Sequence, residues 1–430
     1  MRVKILATAM LFLISCSHAP STSDPMTLDE IANRYVRLVL ALGQHDDGYV
    51  DAYYGPESIA KDVEANLPSV AEIRNEAVSL LGKLDRMGSP SDPMLALRHS
   101  YLTRQIHALE FRTAMLLGET FSFDEESATL YGVVAPEIED STFQSILDRL
   151  DQLLPGSGSV AERYQDFRKQ FVIPPDRLDA VFRRSIEECK SRTAQWIDLP
   201  SGERFRIEYV GDKPWSGYNW YQGEYESLIQ LNTDYDIFID RAIDLACHEG
   251  YPGHHVYNAM LEKNLAVDRG WIETTIYPLY SPQSLIAEGS ANYGIQMAFP
   301  GAERTEFERE VLYPIAGLDP AKASLYGEIF TLVEELDYAD VVAARRYLQG
   351  QATREQTAKW LEKYSLDAPD RALQRTRFFD TYRSYIVNYS LGQDLVRRWV
   401  ESHGEDPAKR WDAFLQLLSS QRLPHDLAVR

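Results

Sequence analysis

Apolar residues recur at helical spacing along most of the chain. Ile31, Tyr35, Leu38, Val39 and Leu42 form a stripe closed by Gly43. Leu80, Leu81, Leu84 and Met87 repeat the plan before Gly88, as do Leu147, Leu150 and Leu154 before Pro155 and Gly156. Such stripes predict helices with one face in a core. Thr27, Ser69, Ser122, Ser141 and Ser159 each stand three residues before a Glu or Gln, namely Glu30, Glu72, Glu125, Gln144 and Glu162. Each pair predicts a capping box, in which the hydroxyl accepts from a helix N–H and the longer side chain reaches back.

From Phe205 to Thr233 the pattern changes. Gly211, Pro214, Gly217 and Gly223 punctuate a stretch holding Trp215, Tyr218, Trp220, Tyr221 and Tyr225, followed by Ser227-Leu228-Ile229-Gln230-Leu231-Asn232. Short strands joined by turns are predicted there. Helical periodicity resumes at Ile237. The expected fold class is mainly α, a large multi-helix body with one small antiparallel β-sheet. Its parts are an N-terminal helical part, residues 27–195, and a part with the sheet and the candidate chemistry, residues 196–430, joined as one continuous domain.

The first residues read differently. Arg2 and Lys4 precede an apolar run, Ile5 to Ile14, too short to span a bilayer. It ends in Leu13-Ile14-Ser15-Cys16, which resembles a bacterial lipobox. Residues 1–15 are then a signal peptide, and residues 16–26 a tether beginning at a lipidated Cys16. Ser17 in place of Asp points to the outer membrane, with the body facing the periplasm and touching the membrane only through the anchor. With 44 Lys and Arg against 65 Asp and Glu, the net charge of −21 argues against nucleic acid as a partner. Three cysteines exclude a disulfide scaffold. Buried free thiols are the expected state of Cys189 and Cys247, with a bridge left open.

The candidate chemistry lies in His248-Glu249-Gly250-Tyr251-Pro252-Gly253-His254-His255. In the motif H-E-x-x-H, two imidazoles four apart on one helix face bind zinc, and the intervening Glu handles the proton. Here position 252 is Pro. On a straight helix His254 would point about 240° away from His248, and His255 would lie about 10.5 Å further along the axis. Pro252 removes an N–H and clashes with the carbonyl of His248, so the helix is expected to break beside Gly253. With two residues looped out, His254 takes the place of the second ligand; His255 is the alternative. Glu288, opening a helical segment, is the candidate third ligand, leaving a fourth position for water. Glu249 is the candidate general base and acid, and Asp244, one turn before His248, a candidate to orient that imidazole.

At these residues the chain resembles the bacterial family called domain of unknown function 885, which includes many proteins described as lipoproteins. The matching stretches are HEGYPGHH at 248–255, EGSANY at 288–293 and Tyr385-Ile386-Val387-Asn388-Tyr389-Ser390-Leu391-Gly392. The stretch from Leu38 to Gly55, with Asp47, Asp51, Tyr53 and Tyr54, is also similar. Many relatives carry Trp-Ala where this chain has Ser290-Ala291. The resemblance implies a zincin-like (gluzincin-type) helical architecture of the kind found in large α-helical metallocarboxypeptidases.

Tyr385 and Tyr389, four apart on one helix face, are candidate donors to an oxyanion. Arg383 beside them is a candidate for a peptide's terminal carboxylate. The strand from Trp220 to Asn232 is a candidate edge for an extended peptide. The expected function is a zinc-dependent hydrolase with one Zn2+, most simply a peptidase, carboxypeptidase-like if Arg383 acts as described. The alternatives are a zinc amidase or esterase, and a non-catalytic metal-binding or scaffold lipoprotein whose site a fourth ligand such as His255 closes.

Overall fold

The computed structural model describes residues 26–428 except 214 and 216; the signal peptide, Cys16 and nearly all of the tether lie outside the described residues. The first stripe becomes the buried face of the helix Leu28–Gly43, capped by Thr27 with Glu30. Boxes also form at Ser69, Ser122 and Ser159. The fifth does not. That helix begins at Asp140, before Ser141 can cap it, and Gln144 donates forward to Asp148 at 2.9 Å. An unforeseen box forms instead at Thr353 with Gln356.

The described chain is mainly helical, with two small sheets. β1 (Val50–Tyr53) pairs antiparallel with β5 (Ile276–Pro278), a pairing the sequence did not announce because both strands are very short. β2 (Arg204–Val210), β3 (Gly217–Gly223) and β4 (Glu226–Asn232) form the other sheet in the order β2-β4-β3. β3 and β4 are antiparallel, but β2 and β4 are parallel, so the sheet is mixed rather than antiparallel. The central place goes to the strand with most to bury: Ser227, Ile229, Leu231 and Asn232 of β4 are buried, whereas β2 alternates with exposed Arg204, Arg206 and Glu208. β3 is thereby left on the edge.

Two large hydrophobic clusters fill the molecule. One gathers Phe143, Leu150 and Phe171 with Ile243, Tyr313 and Phe414; the other gathers Ile31, Leu80 and Leu109 with Leu285, Phe379 and Val387. Each draws on residues before and after position 195, so the expected boundary does not separate two cores.

A disulfide and a close helix crossing fix the backbone around the candidate chemistry. Cys189, on the helix Leu178–Thr193, is bridged to Cys247, with Cα atoms 5.6 Å apart. This corrects the expectation of free thiols; 58 residues of separation hid the proximity. The helices Pro282–Ala298 and Val387–Glu401 cross where Gly289 faces Gly392. A Cβ on Gly289 would stand 2.3 Å from the Gly392 carbonyl carbon, and one on Gly392 would stand 2.7 Å from the Leu285 carbonyl oxygen. Only glycines permit this backbone approach. Gly392→Ala is therefore expected to lower stability by about 1–3 kcal/mol or more, because backbone cannot yield as a side chain would. Urea unfolding of the variant checks this, and an unchanged midpoint would contradict the close crossing.

Candidate metal centre

The helix Ile239–Leu245 widens into a π-helical turn, Ala246–Gly250, that carries His248 and Glu249. It then breaks at Tyr251, Pro252 and Gly253, and a new helix, His254–Leu261, starts at the second histidine. Gly253 is the hinge. A Cβ there would fall 1.8 Å from the His248 carbonyl oxygen and 2.4 Å from that of Cys247. Its N–H donates to Cys247 at 2.9 Å, so the broken helix keeps part of its hydrogen bonding.

The break brings His254 Nε2 to 3.1 Å from His248 Nε2. Glu288 Oε2 lies 3.4 Å from the first nitrogen and 3.7 Å from the second, taking His248 before His254. A tetrahedral site with ligands at about 2.0–2.1 Å has ligand-to-ligand edges of about 3.4 Å. Glu288 Oε2 is buried and has no hydrogen-bond partner among the described residues. A Glu249 oxygen also lies within 4.8 Å of both imidazole nitrogens. The orphaned oxygen makes Glu288 the better candidate for the third ligand, with Glu249 beside the site.

Two of the three groups are held from behind. His248 Nδ1 is 2.8 Å from Asn292 Oδ1, an oxygen that can only accept, so Nδ1 carries the proton and Nε2 keeps its lone pair. Tyr385 donates to Glu288 Oε1 at 2.7 Å. Asn292 stands one turn after Glu288 on the same helix, a signal visible as Glu-x-x-x-Asn and not read from the sequence. Beside Glu249, Gly217 of β3 leaves space: a Cβ there would lie 3.0 Å from Glu249 Oε1. Asn219, also on β3, donates to the Glu249 backbone carbonyl at 2.7 Å.

Asp51 of β1 joins the site, accepting from Tyr218 at 2.5 Å. Burial pushes its carboxyl up to about 6, although Tyr218 works against this. Burial opposes the charge on His254, yet Glu288, Glu249 and Asp51 raise it to about 9. Glu288 is held far below the usual carboxylate range because its two imidazoles outweigh its burial. Burial and then Glu288 push the Tyr385 and Tyr389 phenols well up, so both remain donors. The centre is thus a buried place that draws positive charge.

Several sequence candidates lie elsewhere. His255 is fully buried on the far side of its helix, with Nδ1 2.8 Å from Ser227 Oγ and Nε2 3.0 Å from Glu203. Asp244 pairs with Arg304 at 2.9 Å and Arg241 at 3.3 Å rather than with His248. Arg383, at a left-handed φ of 50° between two helical segments, turns its guanidinium to buried Glu126 at 2.7 Å and does not line the cavity. Trp220 is on the edge strand, but the run to Asn232 is the sheet's interior strand. Tyr389 lines the cavity, and its hydroxyl has no partner among the described residues. That cavity, of about 1510 Å3, holds His248, Glu249, His254 and Glu288.

No family model matches the chain, and no curated protein matches its sequence. A solved structure from Colwellia psychrerythraea, described as a lipoprotein, is similar with a TM-score of 0.53 at 16% identity, over 93% of this chain and 75% of that one. Another, from Shewanella oneidensis and described as a lipoprotein of unknown function, gives a TM-score of 0.44 at 12% identity, over 84% of this chain and 75% of that one. The Colwellia likeness is one of fold.

The geometry sets two expected outcomes. Gly253→Ala displaces the backbone that carries both histidines, and metal affinity measured by chelator competition should fall about 10–100-fold. Behind the centre, burial would raise the Glu203 carboxyl, but His255, Lys190 and Tyr251 outweigh it and bring it to about 2. Its folded value is below the ordinary 4.5, so its contribution to stability is complete above 4.5 and is lost as pH falls through about 2. Glu203→Gln should therefore lower stability at pH 7 by about 1–3 kcal/mol, with the gap closing on acidification in that window. Denaturant melts at several pH values measure it.

Proposed function

We propose that the chain is a zinc-dependent hydrolase, most simply a peptidase, held by lipid in the bacterial cell envelope. The observation that carries the reading is the convergence of His248 Nε2, His254 Nε2 and the orphaned Glu288 Oε2 within 3.1 to 3.7 Å of one another. Two imidazoles and a carboxylate are a donor set suited to Zn2+, and the edges match its ligand spacing. When bound there, the ion supplies Lewis acidity toward a carbonyl and makes water acidic enough to deprotonate near neutrality. The motifs' resemblance to the domain of unknown function 885 family and to zincin-like enzymes points the same way.

The chain's own groups divide the remaining work. Glu249 takes a proton from the attacking water and returns it to the leaving amine. Tyr389, with its hydroxyl free and its phenol kept protonated, donates to the oxyanion. Tyr385 is committed to Glu288 and acts by fixing that carboxylate. Asn292 fixes the His248 tautomer. The edge of β3 beside Glu249 suits an extended peptide, which can add main-chain hydrogen bonds to it. The same groups would attack an ester or a small amide, so the bond is assigned from that edge. His255, the residue that would close the site, is engaged by Ser227 and Glu203, which disfavours a sealed structural centre.

The envelope assignment rests on the lipobox at Cys16; the Colwellia protein that shares the fold is likewise described as a lipoprotein. Among the described residues no helix is long and apolar enough to cross a membrane.

The decisive pair of variants separates metal from proton transfer. Glu249→Gln should keep stoichiometric zinc and lose about 10²–10⁴-fold in peptide hydrolysis. His248→Ala should lose the metal itself. Elemental analysis and a peptide-library digest read the two. Purified protein without bound metal, or metal content unaltered in His248→Ala, overturns the reading.

A further inference from the structure

The cavity that holds His248, His254 and Glu288 is also lined by arginines, and two of them have no acid partner among the described residues. Arg241 and Arg304 are paired with Asp244, and Arg375 with Asp340. Among the described residues no carboxylate lies within 4.0 Å of Arg168 or Arg371, which also line the cavity. This is not for want of acids, since the chain carries 65 of them against 44 basic residues.

Both guanidiniums rest on rings of one loop. Arg168 lies 3.6 Å from the centroid of Phe238, and its buried Nε has no hydrogen-bond partner among the described residues. Arg371 lies 5.6 Å from the centroid of Tyr235 and donates to Gln374 at 2.8 Å. Aromatic support fixes the position of a guanidinium while its N–H groups stay available, an arrangement suited to a planar anion. Both arginines act on Asp367, whose carboxyl burial and Asp340 nevertheless push up, which weakens its compensation of either. Glu334 and Asp337, which also line the cavity, are raised by burial to about 7 and about 8, which weakens their opposition to an anion. Arg375, one turn beyond Arg371, acts on both Asp367 and Tyr389 and so links these arginines to the candidate centre.

We infer that Arg168 and Arg371 bind the C-terminal carboxylate of a peptide whose scissile bond lies at the His248, His254 and Glu288 centre. The inference rests on the peptidase reading and replaces Arg383, which Glu126 occupies. A bidentate guanidinium–carboxylate contact holds the chain end at a fixed distance from the centre, so cuts are counted from the C-terminus.

The test uses the zinc-loaded protein and N-acetylated peptides made as free acids and as C-terminal amides. The free acid should be cleaved about tenfold or more better, at one fixed distance from its end. Arg371→Gln and Arg168→Gln should raise KM for the acid and bring the acid-to-amide ratio toward one. Arg371→Lys, which keeps the charge, should recover part of the preference, and this separates charge recognition from misfolding. Equal cleavage of acid and amide, or cuts placed without regard to the C-terminus, overturns the inference and leaves the peptidase reading standing. Calorimetry of acetyl-tetra-alanine and its amide on the Glu249→Gln protein provides the independent arm. A preference for the acid there, with no turnover by the unaltered protein, supports this site and sinks the peptidase reading; equal binding sinks the site.

Discussion

Three donor atoms sit closer together than unassisted chemistry favours. Two imidazole nitrogens and a carboxylate oxygen converge 3.1 to 3.7 Å apart in a buried cavity, and the oxygen has no donor among the described residues. A buried polar group left unpaired costs about 1–3 kcal/mol, and more when it is charged. Protons on the imidazoles or a cation at the centre would balance the cluster. Asn292 behind His248 and Tyr385 behind Glu288 are uncharged, so they orient the cluster without supplying that charge.

Holding these atoms together required the backbone to go where side chains normally forbid it. Gly253 folds against the His248 carbonyl, and the Gly289–Gly392 crossing presses the Tyr385 and Tyr389 segment toward Glu288. The Cys189–Cys247 bridge ties the residue just before His248 to a neighbouring helix. The π-helical turn ends at the break, so the ligand-bearing backbone is fixed by contacts on every side rather than by regular helical bonding. Rigidity of this kind is what a preorganised centre needs, since small misplacements of supporting groups are costly to chemistry.

Legibility in the chain tracks how local each cause is. The apolar stripes and four of the five capping boxes depend on residues within a turn or two, and they read correctly. The break at Pro252 and Gly253 was legible because a missing N–H and a ring clash act on the adjoining carbonyl. The placement of β4 between β2 and β3, the cysteine bridge and the choice of Asn292 over Asp244 as partner of His248 depend on what the fold brings together across tens of residues. Arg383 illustrates the limit. Its sequence neighbours suggested the site, but its positive φ turns it to Glu126, 257 residues away.

The distribution of charge in the cavity narrows the kind of ligand that the proposed reaction serves. Around the proposed metal centre Asp51, Glu249 and Glu288 concentrate negative charge, and a Zn2+ bound there would offset only part of it. Elsewhere along the cavity Arg241, Arg304 and Arg375 are paired with acids, while among the described residues no carboxylate lies within 4.0 Å of Arg168 or Arg371. A uniformly cationic ligand would be drawn to the first region and repelled from the second; a uniformly anionic one would meet the reverse. A ligand with its anionic end at Arg168 and Arg371 and a neutral, polarisable bond at the centre would satisfy both, and a peptide with its carboxyl terminus at those arginines has that order of groups. On the proposed reading the field of the cavity would favour one direction of a bound peptide, because the reverse would place an ammonium beside two arginines and a carboxylate beside three acids.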